Sequence, residues 1–175
     1  MTTSRLDPPP FHLVLVQPEI PNNTGAIGRT AMATGCRLHL IHPLGFDLSE
    51  KACRRAGLDY WPHLDVVEHA SWSAYLESES PARPWLLTTR AERLIWEADF
   101  RRGDHLLFGG ETRGAPESVH DWARDHPDGD RRLRLPLLDV PEARSLNLAN
   151  AACATLYEAL RRIHASHPDL RDRLR

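Results

Sequence analysis

The sequence predicts an α/β fold, a parallel sheet with helices on both faces. Three observations carry the prediction. Short apolar runs recur along the 175 residues, at 11–16, 37–41, 64–67, 85–88, 105–108 and 132–137. Several of them are continuous rather than alternating, as expected of parallel strands covered on both sides. Between them lie stretches of helical periodicity, and strand alternating with helix throughout is the signature of this class.

The helices follow from their punctuation. Asn22 or Asn23 is suited to cap a first helix that Gly35 ends. Asp47 with Glu50 three residues on reads as a capping box, and Gly57 as the stop. Ser71 precedes Trp72, Tyr75 and Leu76 at helical spacing, and Pro116 stands where a first-turn proline belongs, ahead of Val119, Trp122 and Ala123. A last helix over 145–163, with Ser145 as its cap, puts Ala149, Ala152, Cys153, Leu156, Leu160 and Ile163 on one face.

The length suits one domain with a real core. Residues 1–10 read as a loose, proline-rich arm, 11–163 as the domain and 164–175 as a polar tail expected to fray. No apolar run is long enough to cross a membrane, and the first residues carry no apolar signal region. Cys36, Cys53 and Cys153 are odd in number and far apart. They fit neither a disulfide framework nor a zinc site, which points to a reducing cytoplasm.

A net charge of −2 does not by itself suggest a nucleic-acid binder. Yet Lys51 is the only lysine among 22 basic residues, and the planar arginine fork suits phosphate. Lys51/Arg54/Arg55, Arg101/Arg102, Arg131/Arg132/Arg134 and Arg161/Arg162 are candidate phosphate-binding patches.

Three blocks carry the chemistry. The first, Pro18-Glu19-Ile20-Pro21-Asn22-Asn23-Thr24-Gly25-Ala26-Ile27-Gly28-Arg29, turns sharply after the first strand and lets backbone approach a partner closely. The second, Phe108-Gly109-Gly110-Glu111-Thr112-Arg113-Gly114, is a glycine-rich turn with one acid and one base, suited to a ligand lying across the carboxyl ends of parallel strands. The third, Arg144-Ser145-Leu146-Asn147-Leu148-Ala149-Asn150-Ala151, is a polar cluster opening an alanine-rich helix. A fourth stretch, from Lys51 through Arg54, Arg55, Gly57 and Asp59 to Tyr60 and Trp61, is a basic face ending in an aromatic pair. Its aromatics suit either stacking on an unpaired base or core packing. The third glycine of a dinucleotide fingerprint is absent, which disfavours a nucleotide-dependent oxidoreductase.

In this order and spacing the blocks resemble the SPOUT superfamily of RNA methyltransferases, and the fourth stretch resembles its TrmL-type branch. The likeness runs over residues 11–163. One departure from the family pattern is Gly110, which stands where proline is usual. The resemblance implies S-adenosylmethionine-dependent 2′-O-methylation of the ribose at the tRNA wobble position, cytidine or uridine 34, in leucine-type tRNAs, without a metal. It implies a homodimer that holds the anticodon stem-loop. It also implies a C-terminal trefoil knot, where connection rules alone predict an ordinary open sheet.

Residue by residue, the resemblance makes Arg29, Glu111 and Asn147 catalytic. Leu87, Thr88, Gly109, Glu111, Leu135, Ser145 and Leu146 would hold the cofactor, while Asn23, Arg29, Arg54, Arg55 and Tyr157 would meet RNA. Tyr157 suits a dimer interface equally. Glu111 would orient Arg29 or steady the sulfonium, unless it pairs with Arg113. Arg29 would act as general base or as a bidentate phosphate clamp, and a guanidinium surrenders a proton only reluctantly. Two other readings stand beside this one: a SPOUT enzyme acting at another tRNA or rRNA position, and a catalytically inactive RNA-binding SPOUT protein.

Overall fold

The computed structural model describes residues 8–48, 60–140 and 142–174. Six strands form one wholly parallel sheet: β1 (His12–Val16), β2 (Arg37–Ile41), β3 (Val66–His69), β4 (Pro84–Leu87), β5 (His105–Phe108) and β6 (Arg132–Leu133). Their order is β3-β2-β1-β5-β4-β6. The last strand stops well short of the expected 137. Arg134 makes only an isolated bridge to Leu94, and Pro136 has no N–H to extend the ladder.

Helices cover both faces, as the continuous apolar runs require. On one side α1 (Pro21–Thr34) and α4 (Leu148–His164) pack on the sheet. Leu13, Leu15, Leu38, Leu40, Trp85, Leu106 and Phe108 meet Ile27 and Ala31 of α1 and Leu156, Leu160 and Ile163 of α4 there. On the other side lie α2 (Trp72–Glu79) and α3 (Glu117–Arg124), where Val14, Val16, Ile41, Leu86 and Leu107 meet Tyr75, Val119 and Ala123. Each fully buried aliphatic side chain contributes about 1.5–3 kcal/mol relative to exposure.

The helix ends correct two sequence expectations. Pro21 opens α1, so Asn22 and Asn23 lie inside its first turn, and the capping residue Ile20 has no side-chain cap. Gly35 ends that helix in the left-handed conformation at φ 71°. The cap of α4 is Asn147 rather than Ser145: its side-chain oxygen accepts from Ala149 N at 2.9 Å and Asn150 N at 3.3 Å. Ser71 caps α2 as expected, accepting from Ala74 N. The capping box at Asp47 and Glu50 and the stop at Gly57 belong to a stretch that lies mostly outside the described residues.

Both ends of the described chain are tied down. Residues 168–173 of the tail expected to fray form α5 (Pro168–Arg173), which buries Leu170 completely. Arg102 joins the ends by pairing with Asp169 at 2.7 Å and donating to the Pro8 carbonyl. Pro9 and Pro10, assigned to the arm by sequence, are buried. Below β4 and β5 the buried Asp104 carboxylate accepts from Arg83 Nε at 2.9 Å, Trp85 Nε1 at 2.8 Å and Arg101 N at 2.9 Å.

Four histidines share the α2 side of the sheet. His12 Nδ1 lies 2.9 Å from His39 Nε2, and His39 Nδ1 lies 2.9 Å from His69 Nε2. His105 stacks on His12 and meets the Tyr75 hydroxyl at 2.7 Å. Burial lowers the pKa of His12 to about 4, of His39 to about 2 and of His105 to about 3, so these imidazoles are neutral at pH 7.

Candidate functional site

Strand order reverses between β1 and β5, and open parallel sheets bind ligands outside the carboxyl ends at such a switch point. A cavity of about 570 Å³ lies there, a size suited to a small-molecule ligand. Its wall combines Leu87 and Thr88 at the end of β4, Phe108 at the end of β5, the 109–115 loop, Leu135 and Leu137, and the 144–148 segment. Ile20 and Asn23 close it from the start of α1.

The 109–115 loop folds back hard on itself. A Cβ at Gly109 would stand 2.0 Å from Ala115 N, so only glycine permits this approach. Gly114 N donates to the Gly110 carbonyl at 2.9 Å, and Gly114 sits at φ 71°. The turn thereby carries the Glu111 side chain toward α1.

Glu111 is the hub of the site. Its carboxylate accepts from Glu19 N at 2.8 Å, Ile20 N at 3.3 Å and Asn23 Nδ2 at 2.9 Å. It thus supplies, from a distant loop, the anionic partner that the N-terminus of α1 lacks locally. Asn23 Oδ1 in turn accepts from Asn147 Nδ2 at 2.9 Å, and Asn147 caps α4. A carboxylate only accepts, so Glu111 fixes the orientation of Asn23, and Asn23 that of Asn147. One hydrogen-bonded chain therefore unites all three motif blocks.

The structure brings Asn23, Leu87, Thr88, Gly109, Glu111, Leu135, Ser145, Leu146 and Asn147 into one cavity wall. Arg29 and Tyr157 stand outside it. Arg29 is exposed on α1, with its guanidinium 4.7 Å from the centre of the Tyr60 ring. The Tyr60 hydroxyl donates to the Gly25 carbonyl. Glu111 therefore does not orient Arg29 by contact, and among the described residues no ion pair joins it to Arg113. Trp61 takes the packing role, since a Cβ on Gly28 would come within 2.9 Å of its ring. Tyr157 is 55% exposed on α4. Arg54 and Arg55 lie outside the described residues.

Sequence reasoning missed several wall residues. Arg90 grips Glu117 bidentately, at 2.8 Å and 2.8 Å, and that hydrogen-bonded guanidinium holds the Glu117 carboxyl down at about 2. Thr112 donates to the Glu19 carboxylate, bracing the loop against the first block. His120 is buried, its pKa lowered chiefly by burial, and its Nδ1 has no hydrogen-bond partner among the described residues. No local motif marks Arg90 or His120, which reach the wall only through tertiary packing, whereas Thr112 stands inside the second block but was given no role there.

A parallel α/β sheet whose carboxyl edge holds this glycine-turned, amide-bridged cavity defines a ligand-binding enzyme-type domain. The chain belongs to the SpoU rRNA methylase family, whose model matches residues 10–157. It is 47% identical over 153 residues to a tRNA (cytidine(34)-2'-O)-methyltransferase of Saccharophagus degradans, covering 87% of this chain and 96% of that one. It is similar to a solved structure described as "Structural insights into the 2-OH methylation of C/U34 on tRNA", with a TM-score of 0.77 and 46% identity, covering 90% of this chain and 99% of the other. The SpoU methyltransferase AviRb of Streptomyces viridochromogenes, solved with the cofactor AdoMet, matches with a TM-score of 0.72 and 25% identity, covering 90% of this chain and 59% of its own.

Proposed function

We propose that this chain is an S-adenosylmethionine-dependent tRNA 2′-O-methyltransferase acting on the ribose of the wobble nucleotide, cytidine or uridine 34. The observation that carries the reading is the Glu111–Asn23–Asn147 chain, which joins the three motif blocks at one cavity. The names of the relative at 47% identity and of the structure at 46% identity support the target position.

The residues present fit the cofactor. The cavity pairs apolar surface from Leu87, Phe108, Leu135 and Leu146 with polar groups from Thr88, Ser145 and the loop backbone. Leu87, Thr88, Gly109, Leu135, Ser145 and Leu146 would hold S-adenosylmethionine, which supplies an electrophilic methyl group on a cationic sulfonium. Glu111 places negative charge in the same wall. Asn23 and Asn147 present amides whose orientation is already set, so they need no reorganisation when substrate arrives.

Arg29 serves best as a clamp on the phosphate beside the target ribose. It lies outside the cavity and bears on Tyr60, which suits gripping RNA backbone and holding the hydroxyl in line. In this reading Tyr157 also meets RNA, as do Arg54 and Arg55, which lie outside the described residues.

We infer a homodimer as well, supported by the exposure of Ile20, Leu138, Val140, Leu146 and Tyr157. In the same way we infer the trefoil knot. Its support is that β6 ends at the sheet edge, yet residues 144–148 return to the cavity and α4 packs beside α1. A cytoplasmic location follows from a tRNA substrate. Among the described residues no helix is long and apolar enough to cross a membrane.

The test is to incubate the purified protein with unmethylated total tRNA and S-adenosylmethionine, then map 2′-O-methyl nucleosides by nuclease digestion and mass spectrometry. A single new methyl at position 34 in leucine-type tRNAs is expected. A methyl at another position would refute the target assignment, and cofactor binding without any transfer would refute the enzymatic one.

A further inference from the structure

Far from the cavity, at the β3–β2 edge of the sheet, three side chains converge that the methyl-transfer reading does not use. They are His39 in the middle of β2, His69 at the end of β3 and Glu79 at the end of α2. One donor atom from each lies within 4.8 Å of the others. We propose that His39 Nδ1, His69 Nε2 and a Glu79 carboxylate oxygen form a binding site for a divalent metal of the zinc type.

The geometry is close to what such an ion needs. A tetrahedral ion with bonds of about 2.1 Å places neighbouring donors about 3.4 Å apart. Here His39 Nδ1 and His69 Nε2 stand 2.9 Å apart, and Glu79 Oε1 lies 3.9 Å from His39 Nδ1. Opening the first gap and closing the second, each by about half an ångström, brings two sides of the triangle to that value, and the third, His69 to Glu79, is within 4.8 Å.

The surroundings hold both rings in place, and the proton shared at the 2.9 Å His39 Nδ1–His69 Nε2 contact moves to the far nitrogen of its ring when the metal binds. A metal-bound imidazole donates its other N–H to a neighbouring group, which fixes its tautomer and ring angle. His39 Nε2 has such a neighbour in His12 Nδ1 at 2.9 Å, and His69 Nδ1 has one in Ser78 Oγ at 3.3 Å. Both outer partners are in place before any ion arrives. The donor chemistry is also consistent: two neutral imidazoles and one carboxylate suit zinc and its neighbours in the first transition row. The carboxylate offsets one of the two charges that would otherwise enter a low-dielectric region. The Glu79 side chain is 20% exposed, which gives the ion a route from solvent and leaves a fourth position for water. Bound there, a metal would staple the end of α2 to the edge strand of the sheet.

Residues thirty apart in sequence hid this set from any reading by spacing, since local zinc motifs place their ligands only a few residues apart.

The experiment uses the full chain after treatment with a chelator that is then removed. Zinc is titrated against a chromophoric competitor, and cobalt(II) is used as a probe of tetrahedral coordination through its visible bands. Wild type should take up one zinc per chain, show tetrahedral cobalt bands and gain thermal stability on loading. Glu79→Gln, which keeps the size of a partly buried side chain, should keep its fold by circular dichroism while binding zinc at least about tenfold more weakly and losing the cobalt bands. His42→Ala, which removes an exposed histidine elsewhere, should bind like wild type. Absence of binding by wild type, or equal binding by Glu79→Gln, would overturn the proposal.

Discussion

Replacing Glu111 by glutamine is the sharpest probe of the site, because it keeps shape while changing hydrogen-bond polarity. The two carboxylate oxygens receive three N–H groups: Glu19 N on one, Asn23 Nδ2 and Ile20 N on the other. A glutamine must turn its NH₂ toward one of these sets, leaving donor facing donor. The loss is one charge-assisted hydrogen bond, about 1.5–3 kcal/mol, plus the anion at the start of α1, about 0.3–1 kcal/mol. The group is only partly buried, so the lower halves of these ranges apply, and a total near 2 kcal/mol is expected. If the NH₂ faces Asn23, that amide must flip, and Asn147 must follow. Asn147 would then present an NH₂ to the first N–H groups of α4 and lose its cap, adding about 1 kcal/mol. Urea unfolding monitored by tryptophan fluorescence reads the sum, and methyl transfer should fall more than cofactor affinity. A loss of stability below about 0.5 kcal/mol, with transfer intact, would refute the idea that Glu111 organises the site.

Three further substitutions test other links. Gly109→Ala puts a methyl 2.0 Å from the Ala115 nitrogen, so the loop must open; calorimetric titration should show cofactor affinity reduced by at least about 100-fold, about 2.7 kcal/mol. Arg29→Ala should abolish methyl transfer while cofactor affinity stays within a few-fold, because the guanidinium stands outside the cavity wall; a large loss of cofactor binding would contradict its role as an RNA clamp. Asp104→Ala strips the buried acceptor from Arg83 and Trp85 and should destabilise the fold by about 3–5 kcal/mol in urea unfolding, without bearing on the site directly.

Most of the sheet was legible in the sequence because its strands are buried on both faces. Leu13 and Leu15 look one way and Val14 and Val16 the other, so the run has no polar gap to obscure it. Helix ends were harder to read. Ser145 and Asn147 are both good caps by composition, and the hydrogen bond from the Asn147 amide to Asn23, which favours Asn147, is not readable from local sequence. Likewise the start of α1 looked self-capped, whereas its partner comes from Glu111 in another loop. The histidine cluster and His120 were invisible for the same reason: each depends on strands or helices brought side by side, not on spacing along the chain. The tail was misread through its polarity, since one buried Leu170 and the Arg102–Asp169 pair outweigh many charged neighbours.

The hydrogen bond between Asn23 and Asn147 spans 124 positions. On the ribosome, then, a nascent chain carrying the first two blocks still has no finished pocket. At synthesis rates of about 5–20 residues per second, several seconds separate the emergence of Asn23 from that of its partner. During that interval the polypeptide cannot seize cofactor or act on the tRNAs crowding its birthplace. Fragments that end before residue 144 lack the third block of the cavity wall and should be inert rather than partially active.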